Sequence, residues 1–94
     1  MDFIWDEDKN NLLKRTRNIS FEEIVIAFEQ GDFIKSLNHP NQHKYPHQKV
    51  LLVKIDDYVH AVPAIRKKDG YTLLTIYPSR KYTKIYLPRG NHEK

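Results

Sequence analysis

The residues best suited to chemistry on a phosphate stand near the end of the chain. Arg80 and Lys84 are four positions apart, so on a helix they would share one face. A guanidinium pairs with two phosphate oxygens and keeps its charge, and an ammonium adds a second positive charge. RNA can be cleaved without a metal when its own 2′-OH attacks the phosphate and a cation stabilises the growing charge. We therefore take Arg80 and Lys84 as candidate catalytic residues, with Arg80 first.

A second pair of candidates lies in a predicted strand. Alternation would place His60 and Arg66 on one face, together with Tyr58, Val62 and Ala64, so both side chains are expected to look toward one groove. A histidine with a pKa near 6.5 could act as the acid or the base of RNA cleavage. Both residues are thus candidate catalytic residues. The alternative for His60 is a hydrogen-bonded position at the edge of the core.

Other side chains nearby could bind RNA without reacting with it. Lys81 would project from another side of the same helix as Arg80 and contact a backbone phosphate. Tyrosine rings can stack on RNA bases. The candidate RNA-binding residues are Lys67, Lys68, Tyr77, Lys81 and Tyr86. The alternatives are a solvated basic surface for the lysines and core packing for the tyrosines.

The charge of the chain is unevenly distributed. Residues 1–47 carry six Lys/Arg and eight Asp/Glu, a net charge of −2. Residues 48–94 carry ten Lys/Arg and four Asp/Glu, a net charge of +6, and the whole chain therefore has a net charge of +4. This asymmetry favours a polyanionic partner for the second half. A solvated surface that keeps the protein soluble is the alternative.

Length and composition restrict the class of protein. The 94 residues suffice for one domain, 1–94, without a deep cleft between two lobes. There is no cysteine, no apolar run near the ~20 residues that cross a bilayer, and the first residues are acidic rather than those of a signal peptide. We expect a cytoplasmic protein that does not bind membranes.

One histidine-rich loop raises the question of a metal. His39, His43 and His47 are spaced by four, but Pro40 and Pro46 argue against a continuous helix that would align them. No cysteine or carboxylate stands among them. We expect neither a metal nor another cofactor, and contact of this loop with a partner is the preferred interpretation.

Hydrophobic periodicity predicts the order of elements. A strand is predicted at residues 3–5, followed by a helix that is capped by Asp6 and runs to about Arg17. Ser20 and Glu23 form a capping box at the start of a second helix, which ends at Gly31. Strands are predicted at 33–37, 50–55, 58–65 and 71–77, with a bulge or the end of pairing at Pro63. Ser79 would cap a short C-terminal helix, and the tail after Pro88 would be loose. The predicted fold class is α+β, with two N-terminal helices packed on a small antiparallel β-sheet.

Three sequence blocks then carry a resemblance that spans about residues 3–87. They are Phe3-Ile4-Trp5-Asp6-Glu7-Asp8-Lys9, Ile19-Ser20-Phe21-Glu22-Glu23 and Pro78-Ser79-Arg80-Lys81-Tyr82-Thr83-Lys84-Ile85-Tyr86. In their order and spacing the chain resembles the BrnT-type toxins, which belong with the RelE/ParE toxins. It departs from the family's pattern in a longer His/Pro-rich loop at residues 38–48 and in fewer arginines in the closing block.

The resemblance implies a RelE-like fold and a function. It implies the toxin of a type II toxin–antitoxin system, a metal-independent endoribonuclease that cleaves mRNA and inhibits translation. A cognate antitoxin, itself DNA-binding, would neutralise it. Two alternatives remain open. The first is a non-catalytic RNA- or protein-binding module of the same fold, which includes a ParE-like toxin with another target. The second is a metal-dependent site on the histidine-rich loop.

Overall fold

The computed structural model describes residues 1–88. The helices are α1 (Glu7–Arg17), α2 (Phe21–Glu29) and α3 (Arg80–Tyr86). The strands are β1 (Asp2–Ile4), β2 (Phe33–Asn38), β3 (Gln48–Ile55), β4 (Tyr58–Lys67), β5 (Gly70–Leu73) and β6 (Tyr77–Pro78). The α+β class is confirmed. The predicted tail after Pro88, with Arg89, lies outside the described residues.

The two N-terminal helices begin where their caps predict. The Asp6 carboxylate accepts hydrogen bonds from the backbone N–H groups of Asp8 and Lys9 at the start of α1. At α2, Ser20 and Glu23 form the reciprocal capping box. These bonds satisfy backbone donors that have no partner inside the helix. Gly31 follows the end of α2 with φ at +84°, a conformation that favours glycine.

The sheet is mixed rather than antiparallel, so that part of the prediction is wrong. Its strand order is β1-β5-β4-β3-β2, and β6 pairs with β4 beyond the end of β5. All pairings are antiparallel except the pairing of β1 with β5, which is parallel. A Cβ atom at Gly70 would overlap the backbone of Asp2, so glycine is what admits β1 at this edge.

Pro63 explains why the last predicted strand is split in two. Its pairing with Val50 lies within an unbroken β3–β4 register, so no bulge forms on that side. On the other side of β4, pairing with β5 ends at Ala64 and pairing with β6 starts at Ala61. The Pro63 carbonyl still accepts a hydrogen bond from Leu74, but proline has no N–H to return. Regular pairing is therefore interrupted at residues 74–76.

The helices cover the two faces of the sheet unequally. Helices α1 and α2 bury one face around Leu13, Phe21 and Ile24, which pack with Leu51 and Val62 of the sheet. Helix α3 covers part of the other face, where Tyr82, Tyr86 and Leu87 pack on Leu52, Val59 and Ala61. Helices α1 and α2 thus lie on the face of the sheet opposite α3. No helix within residues 1–88 is long and apolar enough to span a membrane.

Candidate nucleic-acid interface

Helix α3 is fixed to the sheet by hydrogen bonds at its first turn. The Ser79 hydroxyl accepts from the Tyr82 N–H as the N-cap, and the Ser79 N–H donates to the Val59 carbonyl at 2.8 Å. The Thr83 hydroxyl donates to the Ser79 carbonyl at 2.7 Å and accepts from the Val59 N–H at 2.9 Å. Val59, Ser79 and Thr83, which form these hydrogen bonds, are all buried. The strand therefore sets the position of α3 and of its outer face.

The outer face of α3 carries three of the candidate residues together. Arg80, Lys81 and Lys84 are all exposed, whereas Thr83 is buried and Tyr82 and Tyr86 turn inward. The Lys81 ammonium lies 5.2 Å from the centre of the Tyr82 ring. No ion pair joins any of the three basic side chains to a carboxylate of residues 1–88. Their charges are therefore open to an anion from solution.

The two candidate tyrosines differ in their surroundings. Tyr77 is 42% exposed and pairs with Ala61, so its ring lies on the same side of the sheet as α3. Tyr86 is half-buried in the second core, with its ring centre 6.3 Å from that of Tyr82. Tyr77 is thus placed to stack on a base beside α3. Tyr86 mainly holds the helix on the sheet.

His60 lies on the other side of the sheet from α3. The alternation along β4 places it with Val62 under the N-terminal helices, whereas Val59 and Ala61 face α3. Its Nδ1 is 3.2 Å from the Tyr58 carbonyl. Burial lowers the pKa of the imidazole, and the nearby Tyr58 carbonyl, Asp56 and Glu23 partly oppose that shift. The sheet separates this residue from Arg80.

Arg66 shares that face with His60 but not a groove. Six residues of strand separate them, which is about 20 Å. Buried Val62 and Ala64 lie between the two side chains. The Arg66 guanidinium is 5.8 Å from the centre of the Tyr71 ring, its partner in the β4–β5 pairing. The expectation of a common groove for His60 and Arg66 is therefore wrong, although their common face is confirmed.

Lys67 and Lys68 lie at the end of the sheet far from the start of α3. They lead into the turn before β5, whereas α3 contacts Val59 near the beginning of β4. Both side chains are exposed. The structure thus divides the candidate RNA-binding residues into Lys81 and Tyr86 on α3 with Tyr77 beside it in β6, and Lys67 and Lys68 at this turn.

Between those groups lies a stretch of sheet that none of the helices within residues 1–88 covers. The pairing register places four side chains in one row on the α3 side of the sheet: Ile4, Thr72, Ile65 and Gln48. Ile4 and Ile65 lie outside both hydrophobic clusters. Ile4 is 59% exposed. The Thr72 hydroxyl is buried and has no hydrogen-bond partner among the described residues. Sequence reasoning did not identify this surface, because the strand pattern does not reveal which part of a face a short helix covers.

The comparisons with known proteins are negative: no family model matches the chain, and no curated protein or solved structure matches it either. The described residues include no group of three or more His, Cys, Asp or Glu placed to hold a metal ion.

The end of the sheet at the β3–β4 turn offers a different chemistry on the side of α2. A cleft of about 360 Å³ between α2 and the β3–β4 turn is lined by four carboxylates and one lysine. The carboxylates belong to Glu23, Asp32, Asp56 and Asp57. Because phosphates are repelled by such a lining, this cleft does not suit RNA. The exposed cations Arg80, Lys81 and Lys84, which have no ion pair among the described residues, lie instead on α3.

Proposed function

We propose that this protein is a metal-independent endoribonuclease, the toxin of a type II toxin–antitoxin system, with a RelE-like domain of the BrnT type. The observation that carries the proposal is the outer face of α3. Arg80 and Lys84 stand one helical turn apart there, exposed and without an ion pair among the described residues. The BrnT-type sequence blocks support the same proposal, since the third block contains these residues.

The proposed reaction is transfer of a phosphate within the RNA. The 2′-OH gives its proton to water, the 2′-oxygen bonds to the adjacent phosphorus, and the bond from phosphorus to the 5′-oxygen breaks. The departing 5′-oxygen takes up a proton, so the products are a 2′,3′-cyclic phosphate and a 5′-OH. Arg80 would hold two phosphate oxygens in its planar fork as negative charge grows on them. Lys84 would add a second charge and donate a proton to the departing 5′-oxygen. Tyr77 and Lys81 would hold the neighbouring nucleotides.

The proposed partner follows from the charge distribution. Residues 33–88 contain ten Lys/Arg and three Asp, whereas residues 1–32 contain four Lys/Arg and eight Asp/Glu. An acidic segment of an antitoxin laid over the α3 side would cover the basic residues and exclude RNA. DNA binding by that antitoxin is implied by the resemblance, and mRNA in the cytoplasm is the proposed substrate.

The test is cleavage of a mixed-sequence RNA by the purified protein with and without EDTA. Arg80→Ala is compared with Arg15→Ala, a matched control because Arg15 is an exposed arginine on a helix of the other face. Cleavage that survives EDTA, leaves cyclic phosphate ends and is lost only in Arg80→Ala supports the proposal. Equal cleavage by both variants would show that Arg80 is not catalytic.

One observation favours a second candidate function, an RNA-binding module that does not cleave. The structure places His60 behind the sheet and Arg66 at its far end, so neither joins Arg80 on α3. Binding to RNA that weakens with salt, without any product after prolonged incubation, would favour this function over the nuclease.

A further inference from the structure

The loop between β2 and β3, residues 39–47, is held together by its own hydrogen bonds. The His39 Nδ1 accepts from the Asn41 N–H at 2.9 Å, and the Asn41 side chain accepts from the Lys44 N–H. The Tyr45 N–H donates to the Asn41 carbonyl at 2.9 Å, and the Tyr45 carbonyl accepts from Gln48. This loop therefore presents its side chains in a defined arrangement.

An aromatic pair stands within this loop. The ring centres of His39 and Tyr45 are 4.6 Å apart, and both side chains are half-buried. The Lys44 ammonium lies 5.4 Å from the centre of the Tyr45 ring. The planes of the two rings are inclined by 48°, so the pair is tilted rather than stacked. An aromatic ring beside a flexible cation is the arrangement with which proteins bind unpaired bases and their phosphates.

The surroundings of the loop are basic. No carboxylate occurs in residues 33–55, which carry four lysines and three histidines. The His47 carbonyl accepts a hydrogen bond from the Arg66 N–H at 2.7 Å, so the loop adjoins the end of β4. Lys67 and Lys68 follow directly in sequence. The turn also contains Asp69, so loop and turn together form an end of the sheet that is basic on balance.

This basic end and α3 lie at opposite ends of β4. The strand is contacted by α3 at Val59 and by the loop at Arg66, seven residues apart, which is about 23 Å. At ~3.4 Å per stacked nucleotide, roughly seven nucleotides would reach from one to the other. A strand of RNA held at α3 can therefore extend along the molecule as far as the loop.

We propose that residues 39–47 form a second contact for single-stranded RNA, in which an unpaired base stacks on the His39–Tyr45 pair. The inference rests on the proposed action on RNA and names a site outside the α3 face. A base would displace the Lys44 side chain from the Tyr45 ring, and the ammonium would then neutralise the phosphate of that nucleotide. The loop would act as a binding site, and cleavage would take place at α3.

The chemistry of the loop favours RNA over a protein. Protein interfaces centre on buried apolar and aromatic side chains and are depleted in lysine. Between Asn38 and Gln48 there is no aliphatic side chain apart from prolines, and the exposed residues include His43, Lys44 and His47. A polyanion with flat bases fits that combination.

The test measures binding of a 2′-O-methyl RNA, which lacks the attacking hydroxyl, by fluorescence anisotropy. The RNA is single-stranded and longer than the span from α3 to the loop. Tyr45→Leu is expected to weaken binding about tenfold, because removal of one base–aromatic stack has effects of this order. Tyr45→Phe, which keeps the ring, is expected to bind like the wild type. Circular dichroism checks that both variants are folded.

The outcomes separate this inference from the proposed nuclease. Loss of affinity in Tyr45→Leu alone supports the loop contact, even when the wild-type protein cleaves no RNA. Equal affinities of all three proteins overturn it, even when cleavage at α3 is demonstrated. Weaker binding of Tyr45→Leu to an acidic peptide, with unchanged binding to RNA, would also overturn it and assign the loop to a protein partner.

Discussion

The Thr83 hydroxyl of α3 accepts a hydrogen bond from the backbone N–H of Val59 in β4, at a distance of 2.9 Å. Without it, a buried N–H of the strand would be left without a partner at the point where α3 begins to cross the sheet. The same hydroxyl donates to the Ser79 carbonyl, so one side chain connects the N-cap, the helix and the strand. The direction of Arg80 and Lys84 depends on this contact.

Replacement of Thr83 by valine is therefore expected to destabilise the fold by about 1–3 kcal/mol, because it leaves buried groups unsatisfied at nearly constant shape. Urea unfolding measures the free energy. Thr72→Val is the matched control, because the buried Thr72 hydroxyl has no hydrogen-bond partner among the described residues. Removal of the Thr72 hydroxyl is expected to raise the free energy of unfolding by about 1 kcal/mol. This corresponds to a rise in Tm of roughly 4–8 °C. Equal losses in both variants would contradict the role of Thr83.

Arg80→Lys is expected to cleave RNA about 10²–10³-fold more slowly than the wild type, the size of effect found when one donor to a developing oxyanion is removed. Lysine keeps the charge but cannot offer two parallel N–H groups to a phosphate. The measurement is the single-turnover rate at saturating enzyme. Full activity in Arg80→Lys would mean that charge alone suffices, and the proposed paired contact would be wrong.

Lys84→Ala is expected to reduce the salt dependence of RNA binding. Each phosphate neutralised on a single strand contributes about 0.7 to the slope of log K against log salt concentration, so the slope should fall by about that amount. Ile85→Ala is the control, since Ile85 is the exposed, uncharged neighbour on α3. The measurement is affinity over a series of salt concentrations. An unchanged slope in Lys84→Ala would show that Lys84 contacts no phosphate.

Local features of the fold were predictable because each depends on a few neighbouring residues. The caps at Asp6, Ser20 and Ser79 were predicted from residue type and spacing, and all three are present. The parallel pairing of β1 with β5 could not be predicted in this way. It depends on contact between residues nearly 70 positions apart and on the space that Gly70 leaves for β1. Pairings of such separation have no local sequence signal.

The candidate site was predictable only where its residues lie close in sequence. Arg80 and Lys84 share an exposed helix face, as their spacing predicts. His60 was grouped with them because nothing in β4 shows which face of the sheet α3 covers. The period of two gives the relative faces of residues along a strand but not the identity of what lies over each face. Thr83, the anchor of α3, was missed because a threonine in a short helix has no distinctive pattern.

The half-buried position of His60 predicts that acid destabilises the fold. Burial lowers its pKa in the folded protein, against about 6.5 when unfolded. Below pH ~6.5 the imidazole takes up a proton more readily in the unfolded chain than in the folded protein. The contribution of neutral His60 to the free energy of unfolding is therefore complete above pH ~6.5 and is lost as the pH falls through the pKa of the folded state. His60→Gln should lose less stability between pH ~7.5 and ~5.5 than the wild type in urea unfolding. His43→Gln, on the exposed loop, is the matched control for the loss of one imidazole. The same pH dependence in wild type and His60→Gln would show that His60 takes up its proton equally in both states, and would contradict the burial on which the prediction rests.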